Sequence, residues 1–250
     1  MAHLIVQNIS HWYDKTKPAS RAICEVTFSV ERGECVVCLG SNGSGKSTLL
    51  QIIASCVKPS AGVIRIENGS SVKGKAGIVF QEPDNQLFMP TVWEDVAFGI
   101  MKKGVTPNEA KERAIASLAC VEAAHLAERA PHTLSGGEKQ RAALAGVLIM
   151  ERDILLLDEP TAALDPRARK NLITLLKNLH GTKIIASHDL DMALELANRV
   201  IFLHEGRIVA DCPAPGLLLD EQFLQNIGLE LPLGIRSWGI ISGGMSSSPL

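Results

Sequence analysis

Aromatic side chains are scarce in this 250-residue chain: six Phe, three Trp and a single Tyr make up 4% of it. So thin a supply argues against a surface that stacks nucleic-acid bases. Excess positive charge is missing too. The formal net charge is −2 and the pI about 6.4, which leaves no basic field to draw nucleic acid or anionic lipid. Long apolar runs are also lacking, since "AALAGVLIM" is bracketed by Arg141 and Glu151, far short of the ~20 residues of a membrane span. The N-terminal "MAHLIVQNIS" has neither a basic segment nor a long apolar one, so no signal peptide is expected and the chain should stay in the cytosol. Six cysteines fit that compartment as reduced thiols. Cys35 and Cys38 form a C-x-x-C, but in a strand that spacing points them to opposite faces, and zinc needs four ligands. A buried structural role is expected for both.

Ordinary globular composition, 46% hydrophobic and 21% charged, accompanies a length sufficient for a substantial core. In "CEVTFSV", Cys24, Val26, Phe28 and Val30 alternate with Glu25, Thr27 and Ser29, as in a half-exposed antiparallel strand. An apolar strand at 35–39 leads into a Gly-rich loop and a helix, and short strands are expected at 62–66 and 76–80. From about 93 to 150 the periodicity is helical, with Thr106 as an N-cap, Pro107 in the first turn and Glu109 at the capping-box position. Beyond 150, buried strands ("DILLLD", "TKIIAS", "RVIFL", "RIVA") alternate with helices at 166–179 and "LDMALELA". That rhythm predicts an α/β fold with a mostly parallel core sheet and crossover helices, a helical block inserted at about 90–150 and an antiparallel N-terminal part. Residues 237–250 read as a flexible tail.

"GSNGSGKST", residues 40–48, fits G-x-x-x-x-G-K-[ST] between a strand and a helix, the context this P-loop motif requires. Gly40, Ser41, Asn42, Gly43, Ser44 and Gly45 would wrap an anion with backbone N–H groups at a helix N-terminus. Lys46 would reach the β- and γ-phosphates, Ser47 would ligate Mg²⁺, and Thr48 closes the segment. "ILLLDEP" supplies Asp158 for the metal and Glu159 one residue later. A second carboxylate beside a metal–phosphate site is costly unless it polarises the attacking water. These residues predict a nucleoside triphosphatase.

"LSGGEKQR", residues 134–141, narrows the class. With it the chain resembles the ATP-binding-cassette ATPases, from about residue 3 to at least residue 230. The resemblance implies a P-loop NTPase domain over 1–236 with a C-terminal extension at about 212–236, binding ATP and Mg²⁺. It implies a head-to-tail pair in which the signature of one cassette, Leu134, Ser135, Gly136, Gly137 and Glu138, caps the ATP held by the other's P-loop. It also makes Gln81 the Q-loop residue contacting metal and water, Asp165 of "ALDP" the D-loop residue at the dimer interface, and His188 the switch histidine. Tyr13 matches the aromatic that stacks on adenine, although Trp12 is adjacent and a strand offers only one of them to a given face. Where the family more often has Ser-Gly before Leu164, this chain has Ala162-Ala163, which removes a hydroxyl but no catalytic group.

Four of the ten aromatic residues fall within 79–99: Phe80, Phe88, Trp93 and Phe98. "FQEPDNQLF…TVWEDVAFG" is similar to the ATPases of energy-coupling-factor importers of metal ions and vitamins, as is "GLELPL" near 228–233. That resemblance implies a groove lined by Leu87, Phe88 and Met89 that receives a helix of a transmembrane scaffold. A small membrane solute-binding protein and a second cassette, identical or paralogous, would complete the assembly at the cytoplasmic membrane face. The plainer alternative is that Phe88 and Trp93 merely anchor the helical block. A conventional importer or exporter would share every catalytic residue. A soluble cassette acting on DNA or ribosomes is disfavoured by the single cassette, the slight negative charge and the lack of a long heptad run.

Overall fold

The structure, a computed structural model, describes residues 2–14, 16, 20–162 and 164–231. The expected tail, the last residues of the C-terminal extension and Ala163 of the Ala162-Ala163 pair lie outside the described residues.

Strand β1 (Ala2–Trp12) pairs antiparallel with β2 (Arg21–Glu31) on one side and β4 (Ala61–Ile66) on the other. In β2 the expected alternation holds from Val26 to Val30. Nearer its start a bulge intervenes: Ile9 faces Val26 and His11 faces Ile23, with Glu25 at φ +53°. The extra residue lets both Ile23 and Cys24 be buried.

The larger sheet runs β5-β6-β7-β3-β8-β9. Here β3 is Cys35–Leu39, β5 Ala76–Val79, β6 Ile154–Asp158, β7 Thr182–Ser187, β8 Arg199–His204 and β9 Arg207–Pro213. All neighbours are parallel except β8 and β9. Every residue of β3 and β7 is buried, as the near-continuous apolar runs require of strands covered on both faces. One face, with Val36 and Cys38, packs against helix α1 (Lys46–Ile53) and the small sheet; the other, with Cys35, Val37 and Leu39, packs against the remaining helices. Cys35 and Cys38 thus point to opposite sides as expected, and burial pushes their thiols up to about 11 and about 12.

Three α-helices lie between β5 and β6: α2 (Val92–Met101), α3 (Pro107–Cys120) and α4 (Gly136–Leu148). Small buried residues, Ala97, Ala110, Ala114, Ala142 and Ala145, let them approach closely. Enlarging Ala114 would overpack this seam at a cost of about 1–3 kcal/mol. Thr106 is the N-cap of α3 and Pro107 follows it, as expected, but the Thr106 side chain makes no cap hydrogen bond and no capping box forms with Glu109. Capping boxes form instead at Thr91/Glu94 and Ser135/Glu138, each a Ser/Thr followed three residues later by Glu. After β6 come α5 (Pro166–Asn178), α6 (Leu190–Leu196) and α7 (Glu221–Asn226), the last held to β8 by an edge-to-face contact of Phe202 and Phe223 at 4.9 Å. The carboxyl ends of β3, β6 and β7 lie side by side, with Leu39 level with Ser187 and Asp158 level with Ala186. In an open parallel sheet that edge is where ligands bind.

Candidate functional site

Between β3 and α1 the P-loop turns on Gly43 at φ +81° and Gly45 at φ +104°. A side chain at Gly45 would also strike the Ala22 carbonyl at 2.5 Å, so only glycine fits there. The helix it opens has no acidic residue in its first turn to offset the positive end of its dipole. Lys46, 5% exposed, donates to the carbonyls of Gly40 (2.8 Å) and Ser41 (3.1 Å) and lies 3.4 Å from Glu159 Oε1. Ser47 Oγ donates to Asp158 Oδ1 at 2.9 Å, and burial raises the Asp158 carboxyl above its ordinary range despite that bond. The Ser44 hydroxyl is buried without a hydrogen-bond partner among the described residues.

Glu159 sits one residue past β6 with φ +45°, a left-handed conformation that costs a non-glycine residue about 1–3 kcal/mol. Its N–H donates to Ala186 O at 2.9 Å, which fixes the turn. The carboxylate is divided in its work. Oε2 meets His188 Nδ1 at 2.9 Å and accepts from Ser187 Oγ at 3.2 Å, while buried Oε1 has no hydrogen-bond partner among the described residues. Asp189 caps α6 and accepts two hydrogen bonds from Arg169, at 2.8 and 2.9 Å, anchoring the segment that carries His188.

Tyr13 is 65% exposed, with its hydroxyl 2.9 Å from Thr48 Oγ1 and its ring edge-on to His11. Trp12 turns elsewhere, under the Arg21 guanidinium. Tyr13, Asn42, Gly43, Gly45, Lys46, Ser47, Thr48, Gln81 and Glu159 line one cleft of about 470 Å³. Backbone donors, an orphan hydroxyl, a lysine and a Ser–Asp pair suit a metal-bound polyphosphate with a base at its far end.

The sequence profile described as ABC transporter matches residues 23–162, more than half the chain. The chain belongs to the ABC transporter family. As an ABC ATPase it binds and hydrolyses ATP with Mg²⁺. It is 44% identical to an ABC transporter ATP-binding protein of Geobacter sulfurreducens over 94% of this chain and 97% of that one. It is 40% identical to the energy-coupling factor transporter ATP-binding protein EcfA of Methanothermobacter thermautotrophicus, over 91% of this chain and 76% of that one. Among solved structures, cbiO1 of Clostridium perfringens, part of the ABC transporter complex cbiONQ, superposes with a TM-score of 0.79 at 32% identity, covering 97% of this chain and all of that one. A dimeric ATP-binding cassette in a post-hydrolysis state with ADP and Pi superposes with a TM-score of 0.76 at 29% identity, covering 85% and 99%.

In this ABC ATPase none of the expected signature residues lines the P-loop cleft, although Gly136 shares a smaller cavity with Gln81 and Glu159. Leu134 is buried, whereas Ser135 and Gly136 are exposed at the start of α4. Ser135, Gly137 and Glu138 line a second cavity of about 480 Å³ together with Asp165. Asp165 also caps α5, accepting from the N–H groups of Arg167 and Ala168 at 2.9 Å.

Gln81 is exposed and borders both the P-loop cleft and a smaller cavity of about 220 Å³ with Glu82, Asp84 and Lys139. Leu87, Phe88 and Met89 do not line that smaller cavity. The two aromatics weighed as anchors divide: Trp93 packs against the core, but Phe88 is 64% exposed and rests edge-on against Phe98 at 5.1 Å. Two residues that the sequence reading passed over shape this segment. Gln86 accepts from Phe80 N–H at 2.9 Å and donates to Ile78 O at 3.2 Å, while Asp95 Oδ1 accepts from the N–H groups of Phe88 and Met89.

Proposed function

We propose that this chain is the motor subunit of an energy-coupling-factor importer for a metal ion or vitamin, working at the cytoplasmic face of the membrane. The observation that carries the proposal is the exposed Phe88, held on a bonded scaffold a few residues from Gln81. The EcfA relatives and the likeness to cbiO1 support it. Among the described residues no helix is long and apolar enough to cross a membrane. Leu87, Phe88 and Met89 would meet a helix of that scaffold, and a small membrane solute-binding protein would select the cargo. A surface of Met and aromatic residues can repack as its partner moves.

In this reading Tyr13 stacks on adenine, the P-loop amides and Lys46 hold the β- and γ-phosphates, and Ser47, Asp158 and Gln81 hold Mg²⁺. Bound there, the metal would offset charge on the phosphate oxygens. Glu159, with Oε2 tied to His188, presents Oε1 to a water in line with the γ-phosphorus. The water oxygen bonds to phosphorus as the bond to the β,γ-bridging oxygen breaks, giving ADP and phosphate. The signature and Asp165 of a second cassette would close the site from the opposite side. All these groups occur in one chain, so two identical copies would suffice for two complete sites, and a paralogous partner cassette would serve equally.

The test is affinity capture of the tagged chain from detergent-solubilised membranes of its native host, followed by mass spectrometry. Recovery of a transmembrane scaffold with a small membrane solute-binding protein is expected. Recovery of a conventional permease pair, or of soluble partners alone, would overturn the importer assignment and leave the ATPase chemistry intact.

A further inference from the structure

The signature serine is already engaged. Ser135 donates both its N–H (2.7 Å) and its hydroxyl (2.9 Å) to Glu138 Oε2. A serine hydroxyl has one proton to give, so while Glu138 holds it none remains for a phosphate. The Glu138 carboxylate also lies at the positive end of α4, where the incoming γ-phosphate would seek the same N–H groups and dipole. The hydrogen bond from the Ser135 N–H, with that from its hydroxyl, holds the carboxyl below its ordinary value and so favours the charged form. The cation paired with it is Arg129, whose Nη1 stands 3.3 Å from Oε1, with the two side chains 43% and 30% exposed. At that exposure the pair is screened and offsets little of the charge.

We propose that Glu138 is a gate on the signature motif, an internal anion that occupies Ser135 and opposes the γ-phosphate carried by the second cassette. This rests on the reading above, in which the signature acts across a pair. Glu138 is a positioning residue: it restrains closure and makes the ATP-bridged pair easier to reopen after hydrolysis. Arg129 eases the gate slightly by offsetting part of the carboxylate's charge from the Oε1 side, while Oε2 stays bonded to Ser135. It is well placed to do so, because its guanidinium also donates to Thr133 O at 2.7 Å and its own carbonyl accepts from Val92 N–H at the start of α2. The gate is thereby tied to the helix that follows the proposed docking segment.

Glu138→Gln tests the charge of the gate alone, because a glutamine oxygen still accepts from the Ser135 hydroxyl. A glutamine at this position still completes the capping box, so α4 keeps its start, while a like charge is exchanged for an amide. Measured by sedimentation equilibrium with MgATP in a Glu159→Gln background, the dissociation constant of the pair should fall about five-fold, as expected for removing one screened like charge. The thermal midpoint without nucleotide should move by no more than about 2 °C. Arg129→Gln should weaken pairing about two-fold with Glu138 present and have no effect when combined with Glu138→Gln, which isolates the coupling. An unchanged or raised dissociation constant for Glu138→Gln in a pair that forms would overturn the proposal alone. Monomers throughout, at saturating ATP, would overturn pairing of this chain with itself and the gate argued for that pair.

Discussion

The P-loop face and the signature face of this chain are built differently. On the first, Lys46, Asp158 and Glu159 are no more than 6% exposed, and each is positioned by strand ends and neighbouring polar groups. On the second, Ser135 and Gly136 stand exposed at a helix start, and the carboxylate that engages Ser135 belongs to its own cap. In the proposed reading the buried, preorganised half holds the nucleotide and aims the water, and the open, weakly restrained half meets the nucleotide of a second cassette. On that reading one chain offers the two unlike halves of a site, and neither is complete alone.

The largest expected effects break the first half. Lys46→Ala removes the buried cation of the phosphate cleft and leaves Glu159 a buried carboxylate without that counter-charge. ATP affinity, measured by fluorescent-nucleotide displacement, should fall by at least about 100-fold. Glu159→Gln should lower turnover by about 10²–10⁴-fold while ATP binding is retained. Full turnover in that variant would remove Glu159 from the chemistry.

A smaller effect concerns the support behind His188. Burial raises the Asp189 carboxyl, but its bonds from Arg169 and the Met192 N–H outweigh this and hold it below the ordinary value. A depressed carboxylate contributes stability that is present above the unfolded pKa of about 4 and is lost as pH falls through the lower folded value. Arg169→Leu should cost about 1–3 kcal/mol at pH 7 in chemical denaturation, with the difference from the unaltered chain shrinking below about pH 4. A difference independent of pH would contradict the assignment.

Phe88→Asp sharpens the comparison on the open side. Because Phe88 is 64% exposed, the substitution should shift the melting temperature by under about 2 °C while releasing the chain from solubilised membranes. A marked loss of stability with retained membrane association would make Phe88 an anchor of the helical subdomain. Thiol alkylation should show the smallest contrast, with exposed Cys56 and Cys120 labelled quickly and buried Cys35 and Cys38 only on unfolding.

What the sequence disclosed was whatever one short stretch could encode. The P-loop, the Asp158-Glu159 pair at the end of an apolar run and the alternation of β2 are patterns within a dozen residues, and each sits in the element expected of it. The strain at Glu159 was not legible, because a positive φ is imposed by the Ala186 carbonyl from a strand remote in sequence. Nor were the brackets that Gln86 and Asp95 put on the docking segment, since nothing marks those side chains as folding back onto backbone. Thr106 shows the reverse: it is the N-cap that the pattern predicts, yet no capping box forms there. The composition fitted a capping box, but the same composition at 91–94 and 135–138 is where the boxes form, and at the latter the box engages the signature serine itself.

The most direct test of the two-halves account is a mixing experiment. Lys46→Ala disables the P-loop half and leaves the signature; Ser135→Arg disables the signature half and leaves the P-loop. Each variant alone should hydrolyse ATP at no more than a few per cent of the unaltered rate, about the loss that removing one transition-state contact produces. Mixed in equal amounts they should regain activity, because the intact P-loop of one meets the intact signature of the other. Two inactive variants that stay inactive at every mixing ratio would contradict the account.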